Sequence, residues 1–240
     1  MSEFVAGERV LYFEESGPKD APAILLIAPG GMKSTISFWQ STPWNPIEQL
    51  ATDYRVIAMD QRNAGSSRAP VTANDGWHTY TQDQIDLLDH LQVDKFHVAG
   101  MCIGGPYALG LIEAAPDRVL SATLFQTIGR DNNQDEFYAM FDDWAGPLAS
   151  ERDASPEAWQ SFRENMYGGD KVFFNLDADF LDQFTTPLLV LMGDDVYHPQ
   201  SSSRLVAERA KNVEFIEDWK HGVAREAAMS QCQEFLEKYS

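Results

Sequence analysis

Two unbroken apolar runs, Ala23-Ile24-Leu25-Leu26-Ile27-Ala28 and Pro187-Leu188-Leu189-Val190-Leu191-Met192, constrain the fold of this 240-residue chain more than any other feature. Neither run alternates with polar residues, so neither suits a strand with one face in water. Such runs fit strands covered on both faces, as in a parallel sheet between helices. Strand patterns span residues 9–15, 23–29, 54–60, 96–101, 119–127, 187–193 and 213–218, and helical patterns span 81–91, 105–114, 200–210 and 223–238. Strand and helix therefore alternate, which predicts an α/β fold with a mostly parallel central sheet flanked by helices.

One segment interrupts the alternation. Residues 128–186 carry helical patterns and no strand pattern, with 11 of the 28 aromatic residues and 13 Asp/Glu against 4 Lys/Arg. The expected organisation is a core of residues 1–127 and 187–240, with 128–186 inserted as a small helical cap over one end of the sheet. The plainer alternative is a set of further surface helices with solvated acidic faces.

The sharpest chemical signal is Gly100-Met101-Cys102-Ile103-Gly104-Gly105, directly after one strand pattern and directly before a helical one. This is the context of a nucleophile elbow, with Cys where Ser is more usual. The tight turn strains its central residue and leaves no room for bulk two residues before and after it, positions held here by Gly100 and Gly104. A thiol nucleophile needs a base to take its proton and a carboxylate to orient that base. The elbow fold supplies them later in the chain, in the order nucleophile, acid, histidine. Only His198 and His221 follow Cys102. His221, between the last strand and the last helix, is the expected base, with His198 the alternative. The loop Gly193-Asp194-Asp195-Val196-Tyr197-His198-Pro199 offers two adjacent carboxylates, of which Asp195 is chosen and Asp194 is the fallback. The oxyanion of the intermediate needs a pair of backbone N–H groups. Ile103 supplies one, and the loop Pro29-Gly30-Gly31-Met32 supplies the other.

Cys102 in its elbow, Asp195, His221 and the Gly30-Gly31 loop together resemble the α/β-hydrolase superfamily over essentially the whole chain. Asp60-Gln61-Arg62-Asn63-Ala64-Gly65-Ser66-Ser67 is similar to the family's D-x-R-G-x-G-x-S turn, with Asn63 replacing a glycine. Aligning the acid loop on Pro199 selects Asp195. The resemblance also implies a cap after the sixth strand and an oxyanion donor at Gly31, or at Met32 after a one-residue shift. A Cys nucleophile resembles that of the dienelactone hydrolases, which are not expected to carry so large a cap.

The expected activity is hydrolysis of a carboxylic ester or lactone through a Cys102 acyl-enzyme, with no cofactor and no metal. A thiolate is itself a good leaving group, so substrates with good leaving groups are favoured over simple alkyl esters. Thioester hydrolysis or acyl transfer by the same triad is the second reading, and a non-catalytic small-ligand-binding protein of this fold the third.

Composition narrows the partners. There are 18 Lys+Arg against 37 Asp+Glu, a formal net charge of -19. That acidity argues against nucleic acid and anionic membrane surfaces, where the dominant electrostatic contribution is repulsive. The cap's share, a net charge of -9, tilts the substrate toward a neutral, partly apolar acyl compound. The start of the chain lacks the basic and apolar regions of a signal peptide, no apolar run approaches the ~20 residues of a membrane span, and two cysteines make no disulfide framework. A cytoplasmic location is the expectation.

Overall fold

The computed structural model describes residues 2–240. The strands are β1 (Ser2–Ala6), β2 (Arg9–Ser16), β3 (Ala23–Ile27), β4 (Arg55–Met59), β5 (Phe96–Met101), β6 (Val119–Phe125), β7 (Leu188–Leu191) and β8 (Val213–Ile216). They form one eight-stranded sheet in the order β1-β2-β4-β3-β5-β6-β7-β8. The strands from β3 to β8 run parallel to their neighbours, while β2 is antiparallel to both β1 and β4. The helices are α1 (Pro46–Leu50), α2 (Trp77–His90), α3 (Gly104–Ala114), α4 (Gln134–Ala149), α5 (Pro156–Tyr167), α6 (Gln200–Arg209) and α7 (Gly222–Lys238).

The two apolar runs behave as their composition requires. Every residue of β3 and of β7 is buried. All seven expected strands and all four expected helices are present, and the α/β class holds. The strand β1 was not anticipated. It is an edge strand paired only with β2, and its residues are exposed or half-buried. Five residues with so little burial leave almost no apolar pattern to read.

Between β6 and β7 the chain forms α4, α5 and a short 3-10 helix, Ala178–Asp182. Helix α5 starts on Ser155, whose side chain accepts from Ala158 N, with Pro156 in the first turn. Both features favour a helix start, because they serve or remove N–H groups that lack an intrahelical partner. The aromatic residues of α4 and α5 pack mainly on one another. Phe141–Phe162, Trp144–Phe162 and Trp144–Trp159 lie edge to face with centroids 5.2–5.8 Å apart. Most of these aromatics are thus the core of the helical segment, not a substrate wall. Trp144 also donates from Nε1 to the Asn63 carbonyl (3.1 Å), tying α4 to the loop after β4.

That loop explains the Asp60–Ser67 motif. Asp60 accepts from the backbone N–H groups of Ile36 and Ser66, both at 2.9 Å, and Asn63 takes the left-handed conformation (φ 57°) expected of a glycine substitute. Arg62 makes a two-point contact with the fully buried Asp83 of α2, which also accepts from Arg9 of β2. A charge buried this deeply persists only when paired and hydrogen-bonded. The motif therefore holds β2, the β4 exit and α2 together.

Parallel register brings the carboxyl ends of β3, β5, β6 and β7 into line: Ile27 lies beside Gly100, Gly100 beside Leu124, and Leu124 beside Val190. The loops leaving these four ends meet at one place, where open α/β sheets place their ligand sites.

Candidate active site

Cys102 sits on the turn between β5 and α3 with φ 61°, a left-handed conformation that a residue with a side chain adopts only under constraint. The constraint is visible on both sides. A Cβ at Gly100 would collide with the Gly104 carbonyl oxygen, and one at Gly104 with the Ile27 carbonyl. A Cβ at Gly105 would strike the Thr127 hydroxyl. Three glycines thus let the strand, the turn and the helix close around the thiol, which is 9% exposed.

The loop after β7 brings Asp195 and His198 together. His198 Nδ1 lies 2.8 Å from both carboxylate oxygens of Asp195. Asp195 Oδ1 also accepts from the backbone N–H groups of Tyr197 (2.9 Å) and His198 (3.0 Å). The turn is tight enough that a Cβ at Gly193 would collide with His198. His198 is 9% exposed, whereas the Asp195 side chain is half-exposed at its outer side. The second ring nitrogen, Nε2, is buried and takes no hydrogen bond of ordinary geometry, but the ring is close enough to the thiol for each to move the other's titration.

Burial pushes the Cys102 thiol up, and this is outweighed by His198 and by the backbone N–H groups of Gly30 and Ile103, so the net shift is downward. Burial likewise pushes His198 down, and the thiolate and Asp195 outweigh it, raising the imidazole to about 9. For Asp195 the penalty of burial is overcome by His198 and by the two backbone N–H groups, and its pKa falls. All three shifts favour a thiolate–imidazolium pair backed by a carboxylate.

His221, the expected base, is not brought to Cys102. It is exposed at the start of α7 and does not line the cavity beside Cys102. The expectation followed the chain order of the fold and overlooked a local signal. In Asp195-Val196-Tyr197-His198-Pro199, a turn puts residues three apart face to face, and the following Pro199 ends it where α6 begins. Asp194, the alternative acid, points away and pairs with Lys220.

At the exit of β3 both Gly30 and Gly31 line the cavity beside Cys102. Gly30, with φ 114°, turns the strand exit toward Cys102, and its N–H helps hold the thiol pKa down. Gly31 and Met32 begin the short helix Gly31–Lys33, and the Met32 side chain is buried in the core. Ile103 follows Cys102 on the turn and lines the same cavity, and its N–H also lowers the thiol pKa.

A cavity of about 420 Å³ opens onto the thiol. Its walls include Phe38 and Pro43, Phe137 and Met140 of α4, and Tyr197 next to His198. Gln126, at the end of β6 with φ 39°, contributes a polar group. Sequence reading missed Phe38, Met140 and Gln126, because none stands in a motif and topology alone brings them to the thiol. Among the described residues there is no cluster of three or more His, Cys, Asp or Glu suited to a metal ion, and no helix is long and apolar enough to cross a membrane.

An elbow at the carboxyl edge of a mostly parallel sheet, with acid and histidine on a later loop, defines an α/β-hydrolase architecture. The chain belongs to that family: the model described as alpha/beta hydrolase fold matches residues 23–175. It is similar to a putative carbamate hydrolase RutD of Variovorax paradoxus, 32% identical over 122 residues that cover 51% of this chain and 44% of that protein. It is also similar to 3-oxoadipate enol-lactonase 1 of Acinetobacter baylyi, 31% identical over 109 residues covering 45% and 38%. The aligned part is less than half the length of either relative. Among solved structures, the enol-lactonase from Burkholderia xenovorans LB400 superposes with a TM-score of 0.71 at 18% identity, over 98% of this chain and 99% of that one, a likeness of fold.

Proposed function

We propose that the protein is a hydrolase of carboxylic esters or lactones with good leaving groups, acting through a Cys102 acyl-enzyme, with His198 as base and Asp195 as its orienting acid. The observation that carries this reading is the meeting at one cavity of a buried thiol, the His198 ring held by Asp195, and the backbone turns at Gly30 and Ile103. A buried, inert cysteine has no use for them, and Cys232 illustrates the contrast: buried among apolar side chains, its thiol is pushed up. The relatives named as a carbamate hydrolase and an enol-lactonase support the same class of reaction.

The steps follow from the geometry. The thiolate attacks the carbonyl carbon, and the N–H groups of Gly30 and Ile103 hold the resulting oxyanion. The His198 imidazolium gives its proton to the departing oxygen, and Asp195 keeps Nδ1 protonated and oriented throughout. Water, deprotonated by His198, then cleaves the thioester and returns the thiol. A thiolate of lowered pKa leaves readily, so the first intermediate partitions back to substrate unless the other group leaves as easily. Enol lactones, aryl esters and thioesters meet that condition, and alkyl esters do not. The apolar walls of Phe38, Phe137 and Met140 suit a neutral acyl chain, and the helical segment 128–186 acts as the lid that carries two of them.

The test combines turnover and intact mass on aryl and alkyl esters of one acyl chain. Wild type is expected to gain acyl mass and to turn over the aryl ester well ahead of the alkyl ester, and Cys102→Ala to do neither. His198→Ala is expected to slow acylation by about 100-fold or more, the usual range for a general base, while His221→Ala retains the wild-type rate. Acyl mass on Cys102→Ala, or none on wild type, refutes the covalent route. A larger loss from His221→Ala than from His198→Ala refutes the base.

A further inference from the structure

Asn133 stands at the N-cap of α4, where asparagine ordinarily accepts a hydrogen bond from the first turn of its own helix. Here it does not: no first-turn N–H reaches the Asn133 side chain. Its amide is directed outward. Nδ2 donates to the Val196 carbonyl at 2.7 Å and to the Gly129 carbonyl at 3.0 Å, and Oδ1 accepts from Asp131 N at 2.9 Å. Asn133 is buried, 4% exposed, so each of these bonds replaces one that water cannot supply. The helix start does not explain this use of the side chain. The partner does: Val196 lies between Asp195 and His198.

Two more contacts join the same partners. Ser201 Oγ donates to Asp131 at 2.7 Å, and the Tyr197 ring meets Phe137 of α4 edge to face at 5.6 Å. The acid and the base share one loop, and that loop is anchored over its length to the chain leaving β6. Its other fixed points are Gly193 N, which donates to Ser203 Oγ (3.2 Å), and the Met192 carbonyl, which accepts from Trp219 Nε1 (2.8 Å). Those hold the root of the loop, whereas Asn133 holds its middle.

We infer that Asn133 is a positioning residue: through its hydrogen bond to Val196 it fixes the Asp195–His198 turn against the start of α4, and thereby sets the approach of His198 to Cys102. The inference rests on the proposed role of that pair. It makes the base and one wall of the cavity a single unit, because α4 also carries Phe137 and Met140. Losing the bond leaves the Val196 carbonyl without its partner at the start of α4 and frees the turn to shift. A shift of an ångström at a reacting pair costs about 100-fold in rate.

The experiment reads the pair directly, without a substrate. The rate of Cys102 alkylation by iodoacetamide is followed by intact mass across pH in wild type, Asn133→Ala and Asn133→Ser. Serine remains a good N-cap but is too short to reach Val196, so it keeps the helix start while removing the contact. Cys232, 1% exposed, is silent in the folded protein. Wild type is expected to react as a thiolate well below the ordinary thiol range. Both variants are expected to lose about tenfold or more of that rate at neutral pH and to regain it only as the pH rises, with kcat on an aryl ester falling and KM held. A wild-type profile in Asn133→Ser overturns the positioning role and leaves the hydrolase reading intact. An ordinary thiol profile in wild type itself overturns both.

Discussion

Cys102 and His198 titrate against each other's charge, so removing one must move the other. In Cys102→Ser the hydroxyl stays neutral, His198 loses one of its two anionic neighbours, and burial is left opposed by Asp195 alone. The His198 ring, raised to about 9 in the intact pair, is expected to fall substantially, as read by NMR titration of its ring resonances. An unchanged value means that no thiolate–imidazolium pair exists. The same pair sets the sign of the pH profile. Activity on an aryl ester should rise as the thiol ionises, at a pH below the ordinary thiol value, and fall as the imidazolium loses its proton near about 9. A profile still rising above that pH counts against His198 as the proton donor. The elbow turn and the carboxylate loop were legible in the sequence, because a glycine-framed turn and a carboxylate run ending in Pro199 are local patterns. The closeness of His198 to Asp195 was less legible, because the chain order of the fold points to His221 and only the i, i+3 spacing of Asp195 and His198 points to the turn that joins them. The conformation of Gly30 was not legible, since a backbone turn of φ 114° has no signature beyond the presence of glycine.

At the scale of elements, the elbow is held by absence of bulk. A Cβ at Gly100 meets a backbone carbonyl at the first turn of α3, which cannot rotate aside as a side chain can. Gly100→Ala is therefore expected to destabilise the fold by about 1–3 kcal/mol in urea unfolding, with Cys102 displaced and acylation reduced. Gly146→Ala is the contrasting control: nothing lies within 4 Å of its Cβ, and it stands inside α4, where Ala is the better helix former. Equal stability in the two variants argues against a strained elbow. The sheet was legible because burial on both faces writes itself as unbroken apolar runs. Strand β1 and the short helices α1, Gly31–Lys33 and Ile36–Ser41 were not, since elements of three to six residues carry too few positions to show a period. The helical segment was legible by composition, but the destination of its aromatics was not: a helical pattern marks a buried face without saying what covers it.

For the whole molecule, charge is the property with the longest reach. The net charge of -19 includes -9 within residues 128–186, the part of the chain that overlies the thiol cavity through α4. Several of those carboxylates are answered locally, as Asp142 is by Arg163 and Asp143 by Lys33, but most of the excess remains. An anionic aryl ester should therefore meet a repulsive field that a neutral one of equal size does not. Raising ionic strength from low to physiological, where the screening length shrinks to about 8 Å, is expected to lower KM for the anionic ester and leave the neutral one unchanged. Identical salt responses count against a field effect. The pairing of Asp195 and His198 within one turn has a consequence of a different kind. On the proposed reading, acid and base lie within a single four-residue stretch, Asp195 to His198. One insertion between them would then disable both at once, and the loop before α7 would be free to drift in length and sequence. A transplant of that stretch into a related scaffold carries acid and base together, already in register.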